Sequence, residues 1–230
     1  MSKIYNLSMM LFVSIAGIYL LLAPFHSVAA SPVRPSPPTI LLQQAMSEDL
    51  AGRPQQARAI YDSIKDSEKS GIAAVPSAIN LAAIGRFADA QNAFTDISIN
   101  GKPRDKDYAQ LWLLWLTARQ WSDTQISLQK ELQRRVQSYT WQYPWEQDIA
   151  RLYMGEGSPE ALLAAINNWN TLDTIKKDAF TEGLFFAGGY LQYVKHVPEK
   201  AAELFNKNKT RLNKTSLEQP LIVQESLALK

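Results

Sequence analysis

The sequence predicts an all-α solenoid of about five helical hairpins, closed by a C-terminal capping helix. The first observation is a set of four residues that recurs 33 positions later in the chain. The two sets are Gly52, Ala57, Tyr61 and Ile64, and Gly85, Ala90, Phe94 and Ile97. The second observation is that the remaining chain divides at Gly and Pro into helix-length segments, with no useful alternating strand pattern. A repeat of roughly 20 to 50 residues is typical of stacked supersecondary units.

The residue types in the repeat are those that a helix–turn–helix unit needs. A glycine such as Gly52 ends the first helix, because the tight turn requires a conformation that a Cβ would penalise. A small residue such as Ala57 lets the second helix approach the first closely. The aromatic ring four residues later lies on the same helical face and fills the space between units.

The N-terminal residues have the pattern of a secretory signal peptide. Lys3 is followed by an uncharged apolar run over residues 9–25, and small residues come before Ser31. We expect a signal peptide over 1–30, cleaved after Ala29 or Ala30, which would place the protein in the periplasm or outside the cell. The alternative is an uncleaved membrane anchor, for which the apolar run is short.

Composition excludes several classes of protein. The chain has no cysteine, which excludes disulfides, thiol catalysis, thiolate metal sites and a lipid on an N-terminal cysteine. Its net charge of +2 gives no indication of nucleic-acid binding. Removal of the signal peptide would leave His196 as the one histidine, which cannot form a two-histidine metal site within one chain. We expect a solvated turn residue there and no histidine-based catalytic triad. We expect no cofactor and no metal.

The rest of the chain divides into a Pro-rich leader over 31–38 and a helical-repeat domain over 39–230. The helices of the first two hairpins are expected at Thr39–Ala51, Pro54–Lys69, from near Ile72 with a late start or kink at Pro76, and Phe87–Ile97. Those of the third hairpin are expected at Asp105–Gln120 and, after a capping box of Ser122 with Gln125, to about Gln137. Later helices are expected from Pro144, from Pro159 after a Ser158 cap, at Thr174–Tyr193 and at Pro198–Phe205. A final helix is expected at Pro220–Leu229, with Ser216 and Gln219 as a capping box.

Two groups of aromatic residues have different expected roles. Tyr108, Leu111, Trp112 and Trp115 have the spacing of one helical stripe, which favours core packing over an aromatic binding groove. Trp141 and Trp145 lie at a junction between units, where exposed rings would suit a protein interface.

A protein-binding surface is expected on the concave side, which the first helices of successive hairpins line. The residues predicted to project there are Gln43, Met46, Ile79, Gln110, Tyr190 and Tyr193. Tyr190 and Tyr193 are three residues apart on one helical face and carry apolar rings with polar tips, which suits an interface. The alternative for both is packing against the final helix.

Catalytic patterns are weak. Gly188–Gly189 lacks the other residues of a phosphate-binding loop, so the pair favours a close approach of helices. A two-carboxylate hydrolase is compatible with the sequence but has no supporting spacing.

The central and C-terminal part of the chain resembles a known family. The matching pieces are Tyr108-x-x-Leu111-Trp112-Leu113, Trp145-x-x-x-Ile149-x-x-x-Tyr153-Met154-Gly155, Ser158-x-x-x-Leu162, Glu182-x-x-Phe185-x-x-Gly188-Gly189-Tyr190-Leu191 and Ala202-x-Leu204-Phe205. They resemble the new lipoprotein I family of enterobacterial tetratricopeptide lipoproteins, over roughly residues 108–210. The repeat itself is similar to the second half of a tetratricopeptide unit.

The resemblance implies an all-helical, dimeric adaptor of the cell envelope that docks a periplasmic protease and presents cell-wall hydrolases to it. The missing lipobox cysteine departs from the family, so tethering to the outer membrane is not implied. We therefore expect a non-enzymatic adaptor for other envelope proteins, with membrane contact only if the signal segment is retained. The alternatives are an accessory assembly protein of a pilus or secretion system and, less favoured, a carboxylate-dependent cell-wall hydrolase.

Overall fold

A computed structural model describes residues 37–67 and 70–228, and every regular element in those ranges is helical. The α-helices are α1 Pro37–Leu50, α2 Pro54–Ile64, α3 Ser70–Ala83, α4 Phe87–Asn100, α5 Pro103–Arg119, α6 Gln125–Ser138, α7 Pro144–Tyr153, α8 Pro159–Asn168, α9 Asp173–Gly189, α10 Pro198–Asn208 and α11 Glu218–Ala228. The predicted signal peptide and the first six residues of the leader lie outside the described residues. No described helix is long and apolar enough to cross a membrane.

The predicted all-α solenoid is confirmed. The helices pair in sequence as five hairpins, from α1 with α2 to α9 with α10, and each hairpin packs on the next. The last helix, α11, packs against α9 and α10 of the fifth hairpin and also reaches α1 of the first. It therefore bridges the two ends of the solenoid.

The turns of the first two hairpins share one hydrogen-bond pattern. Gly52 and Gly85 have φ of 72° and 77°, the left-handed conformation that favours glycine. Each glycine N–H donates to the carbonyl three residues earlier, and the arginine N–H after it donates to the carbonyl five residues earlier. This is a Schellman motif, which satisfies carbonyls at the end of the first helix and explains why glycine recurs there.

The other repeat positions are buried where the sequence predicts. Ala57 and Ala90 have no exposed surface, and the aromatic rings of Tyr61 and Phe94 are buried beside them. Ala201 and Phe205 occupy equivalent buried positions in α10. The residues that recur along the chain are therefore the ones that pack between paired helices.

Enlarging either alanine should destabilise its hairpin. We expect Ala57→Trp and Ala90→Trp each to lower the free energy of unfolding by at least about 1–3 kcal/mol, because an indole has no space between the paired helices. Matched controls are Ala59→Trp and Ala88→Trp, since both alanines are exposed on the same two helices. Urea unfolding of the four variants checks the prediction, and equal midpoints for buried and exposed variants would contradict the register.

Several helix ends differ from the predicted ones for local reasons. α1 begins at Pro37, two residues early, since proline is tolerated in a first turn. α2 ends at Ile64 and not at Lys69, because the N–H and hydroxyl of Ser67 both donate to the Ile64 carbonyl. α3 begins at Ser70 with Pro76 inside the helix, so of the two expectations for Pro76, a late start or a kink, the late start is wrong.

One predicted cap and one predicted helix start are also wrong. Thr124, and not Ser122, caps α6 by accepting a hydrogen bond from the Ser127 N–H. α11 begins at Glu218, ahead of the predicted Pro220. By contrast, Ser158 caps α8 through the Ala161 N–H as predicted.

The centre of the molecule is formed by α5 and α9, which are buried on nearly all sides. The stripe of Tyr108, Leu111, Trp112 and Trp115 lies in this core, as predicted. Gly188 and Gly189 allow the close approach that the sequence suggested, because a Cβ at these positions would overlap the rings of Phe205 and Trp115. α9 continues into one π-helical turn, Tyr190–Val194, in which the Lys195 N–H donates to the Tyr190 carbonyl.

Candidate protein-binding groove

A groove lies between α11 and the first two hairpins. It consists of two adjoining cavities of about 400 and 390 Å³ that share the walls formed by Gln55, Ala83, Leu221 and Gln224. The first cavity is lined mainly by apolar groups, including Ile79 and Val223. We call the two cavities together the α11 groove.

The floor of the α11 groove contains a hydrogen-bonded carboxylate. Asp49 lines the groove and is buried; it accepts hydrogen bonds from the Tyr61 hydroxyl at 2.9 Å and the Asn80 amide at 2.6 Å. The Asn80 amide also donates to the Pro54 carbonyl, so α1, α2 and α3 meet at this point. Burial raises the pKa of Asp49 to about 6, against the opposing effect of the two hydrogen bonds.

The far end of the groove is held by a second polar group. Arg119 of α5 forms an ion pair with Glu225 of α11 at 2.9 Å, and the Tyr193 hydroxyl donates to the other Glu225 oxygen at 2.6 Å. The Arg119 guanidinium also lies 4.6 to 5.1 Å from the ring centres of Phe87, Trp115 and Tyr193. These contacts fix α11 as one wall of the groove and fill its polar end.

At the groove, α11 leaves two apolar side chains open to solvent. Leu221 and Ile222 are buried against the core, while Val223 and Leu227 are 44% and 61% exposed and line the groove. Val223 and Leu227 are four residues apart and therefore neighbours on one helical face. Together with Ile79 and Pro54 they give the groove an apolar wall on both sides.

The structure brings only some of the predicted binding residues to this groove. Ile79 lies in its wall but is buried, and Tyr193 contributes through its bond to Glu225. Gln43 is exposed on α1, Met46 is buried in the core of the first hairpin, and Gln110 is half-buried on α5. Met46 and Ile79 therefore do not offer free side chains to a partner.

Tyr190 and Tyr193 do not form the shared exposed face that was predicted. Tyr190 is buried, with its ring 5.9 Å from that of Tyr153. Tyr193 reaches α11 through Glu225, which matches the alternative of packing against the final helix. The π-helical turn places the two rings in these separate environments.

Trp141 and Trp145 lie away from the groove, and both are half-buried. The Trp141 ring packs edge-on against Tyr139, and its N–H donates to the Val136 carbonyl. Trp145 lies 5.8 Å from the Arg104 guanidinium. Each ring retains some exposed surface, so both remain candidate contacts outside the groove.

The sequence patterns did not indicate α11 as a wall of the site, nor the roles of Arg119, Glu225 and Asn80. One signal was available. Apolar residues at Leu221, Ile222, Val223 and Leu227 cover more than one helical face, which is more than a single buried stripe needs.

Among the described residues, no group of three His, Asp or Glu side chains is placed to hold a metal ion. No protein-family model matches the sequence, and no curated protein is significantly similar to it.

Proposed function

We propose that this protein is an exported, non-enzymatic scaffold that binds other envelope proteins through the α11 groove. The observation that carries the proposal is the mainly apolar cavity of the α11 groove, which has two exposed apolar side chains on its α11 wall and lies on an all-α solenoid of hairpins. Helical-hairpin solenoids commonly use such extended concave surfaces for binding. Exposed apolar surface rimmed by polar groups is typical of a protein interaction site.

The class of partner follows from the export signal and from the family resemblance. A cleaved signal peptide would place the groove in the periplasm, where the new lipoprotein I family docks a protease and presents cell-wall hydrolases. Those two kinds of protein are the partners that we favour. Accessory assembly of a pilus or secretion system is the alternative use of the same groove.

A hydrolase with a carboxylate catalyst has less support. The carboxylates with the most perturbed environments, Glu146 and Glu182, are buried, and neither lines the α11 groove. A polymeric substrate would need access to them that this packing does not provide.

Site-specific photocrosslinking in the envelope tests the proposal. A crosslinking side chain at Val223 or Leu227 should capture a discrete envelope protein, because both positions face the groove and are exposed. The matched control is Ile126, which is 70% exposed on α6, away from the groove. Mass spectrometry identifies the adduct, and cell fractionation in the same experiment reports the compartment.

A second variant connects the adduct with the groove. Val223→Asp with Leu227→Asp should abolish capture of the same protein from a crosslinker at Gln55, because charged groups would have to be desolvated in the contact. Adducts of equal yield from Ile126, or capture unaffected by the double variant, would overturn the proposal.

A further inference from the structure

Two buried carboxyl groups line the α11 groove, and their charged neighbours differ. Glu225 lies at the far end, where Arg119 forms an ion pair with it at 2.9 Å. Asp49 lies in the mainly apolar cavity. None of the ion pairs formed by the described residues includes Asp49. The groove therefore has one carboxyl group with a counter-ion from the same chain and one without.

Arg58 of α2 is the cation whose charge acts on Asp49, but its guanidinium is bonded elsewhere. It donates to the Ser77 carbonyl at 3.1 Å and to the Ser77 hydroxyl at 2.9 Å. It also forms an ion pair with Asp62 at 3.0 Å. Arg58 therefore favours an ionised Asp49 only from a distance, and the charge of Asp62 offsets part of that effect.

The floor of this cavity also has hydrogen-bond acceptors that lack donors. An ionised carboxylate offers about four lone-pair sites. The Tyr61 hydroxyl and the Asn80 amide each donate to one Asp49 oxygen, so part of this capacity is unused. Asn80 has no exposed surface and lines the same cavity, and its Oδ1 has no hydrogen-bond partner among the described residues. The floor therefore suits a ligand group that brings donors and a positive charge.

The walls above the floor decide how such a group can be carried. They include Ile79 of α3 and Leu221, Val223 and Leu227 of α11, so a cation must reach Asp49 on an apolar stem. Lysine has a stem of this kind, and its compact ammonium group has three donors that can be shared among neighbouring acceptors. The planar guanidinium of arginine fits less well, because each Asp49 oxygen that it would engage already accepts a bond.

We propose that the α11 groove binds an apolar segment of a partner protein that carries one lysine, and that the lysine ammonium group pairs with Asp49. The inference rests on the proposed function, because it names the chemistry of the segment that the groove would hold. Apolar side chains of the segment pack on Val223 and Leu227, and the lysine fixes its position along the groove. A segment without the cation would bury Asp49 without a counter-ion, which weakens its binding.

Three six-carbon probes test this ligand chemistry before any partner is known. Hexylammonium, 1-hexanol and hexanoate have the same apolar chain and differ in the head group. At pH 7.5 Asp49, with a pKa of about 6, is largely ionised. We expect hexylammonium to bind at least about tenfold more tightly than 1-hexanol, and hexanoate to bind most weakly, because only the ammonium group adds a charge-assisted bond. NMR titration of the purified protein gives the dissociation constants, and shifts of the Asn80 side-chain amide locate the head group.

A pair of variants assigns the preference to Asp49. Asp49→Asn should raise the dissociation constant of hexylammonium to that of 1-hexanol and leave the binding of 1-hexanol unchanged. Glu48→Gln is the matched control, because it removes the same charge from the same helix. Glu48 forms its ion pair with Arg53 and does not line the groove, so the preference for hexylammonium should remain. Equal loss of the preference in both variants would contradict a contact at Asp49.

The unmodified protein decides the matter if Asp49→Asn does not fold. Equal dissociation constants for hexylammonium and 1-hexanol would overturn the inference, and so would shifts confined to residues outside the groove. The result is independent of photocrosslinking at Val223. A captured envelope protein without a preference for hexylammonium would refute the lysine contact alone. A preference for hexylammonium without a captured protein would refute the proposed function and leave the cation site.

Discussion

Trp112→Ala is expected to lower the free energy of unfolding by roughly 3–5 kcal/mol. The Trp112 side chain has no exposed surface and lies where α5 meets α4 and α9. Its ring stacks on Phe94 at 5.1 Å and lies 5.0 Å from Phe185. Truncation removes these contacts and leaves a cavity among rings that can close it only in part.

Trp121→Ala is the matched control for that measurement. Trp121 is half-buried just after α5, and its N–H donates to the Thr124 carbonyl at 3.1 Å. We expect Trp121→Ala to lower the free energy of unfolding by about 1 kcal/mol, because part of the ring is already exposed to water. Urea unfolding monitored by circular dichroism compares Trp112→Ala with Trp121→Ala. Equal decreases in the free energy of unfolding would show that Trp112 is not the centre of the core.

Gly188→Ala is expected to destabilise the protein by about 1–3 kcal/mol or more. The added methyl group would overlap the ring of Phe205, which is itself buried between α9 and α10. The backbone of α9 or the ring must shift, and both are enclosed by neighbours. The expected result is a lower melting temperature with unchanged secondary structure at low temperature.

Gly71→Ala should have the opposite sign. Gly71 is exposed near the start of α3, and apart from its chain neighbours and the backbone of its own helix no described atom lies within 4 Å of the position a Cβ would take. Alanine there favours the helix by roughly 0.5–1 kcal/mol, because it restricts the unfolded chain. A melting temperature of Gly188→Ala equal to or above that of the unmodified protein would contradict the close approach of α9 and α10 at Gly188.

The fold class follows from short-range patterns that can be read directly from the sequence. The glycine turns, the small alanines and the aromatic residues four positions later recur because each hairpin needs the same turn and the same close contact. The core stripe around Trp112 was predicted because helical spacing determines which side chains share a face. The close approach at Gly188 was predicted because the glycine pair lacks the other residues of a phosphate-binding loop.

Helix ends and caps were less predictable from the sequence. Thr124 caps α6 although Ser122 and Gln125 have the spacing of a capping box. Ser67 ends α2 early through two hydrogen bonds to one carbonyl. Such ends depend on which of several polar side chains reaches a free backbone group, and neighbouring candidates differ by little in energy.

The site depended on contacts between residues far apart in the chain. Helical spacing alone placed Tyr190 and Tyr193 on one face, but the π-helical turn buries one ring and directs the other to Glu225. The return of α11 to the first hairpin created the groove wall and brought Glu218 to Tyr108 across 110 residues. By itself the sequence determined the hairpins, the repeat register and the core stripe, because these obey the local period of a helix. Only the tertiary structure decided the groove, because its walls come from helices that are far apart in the chain.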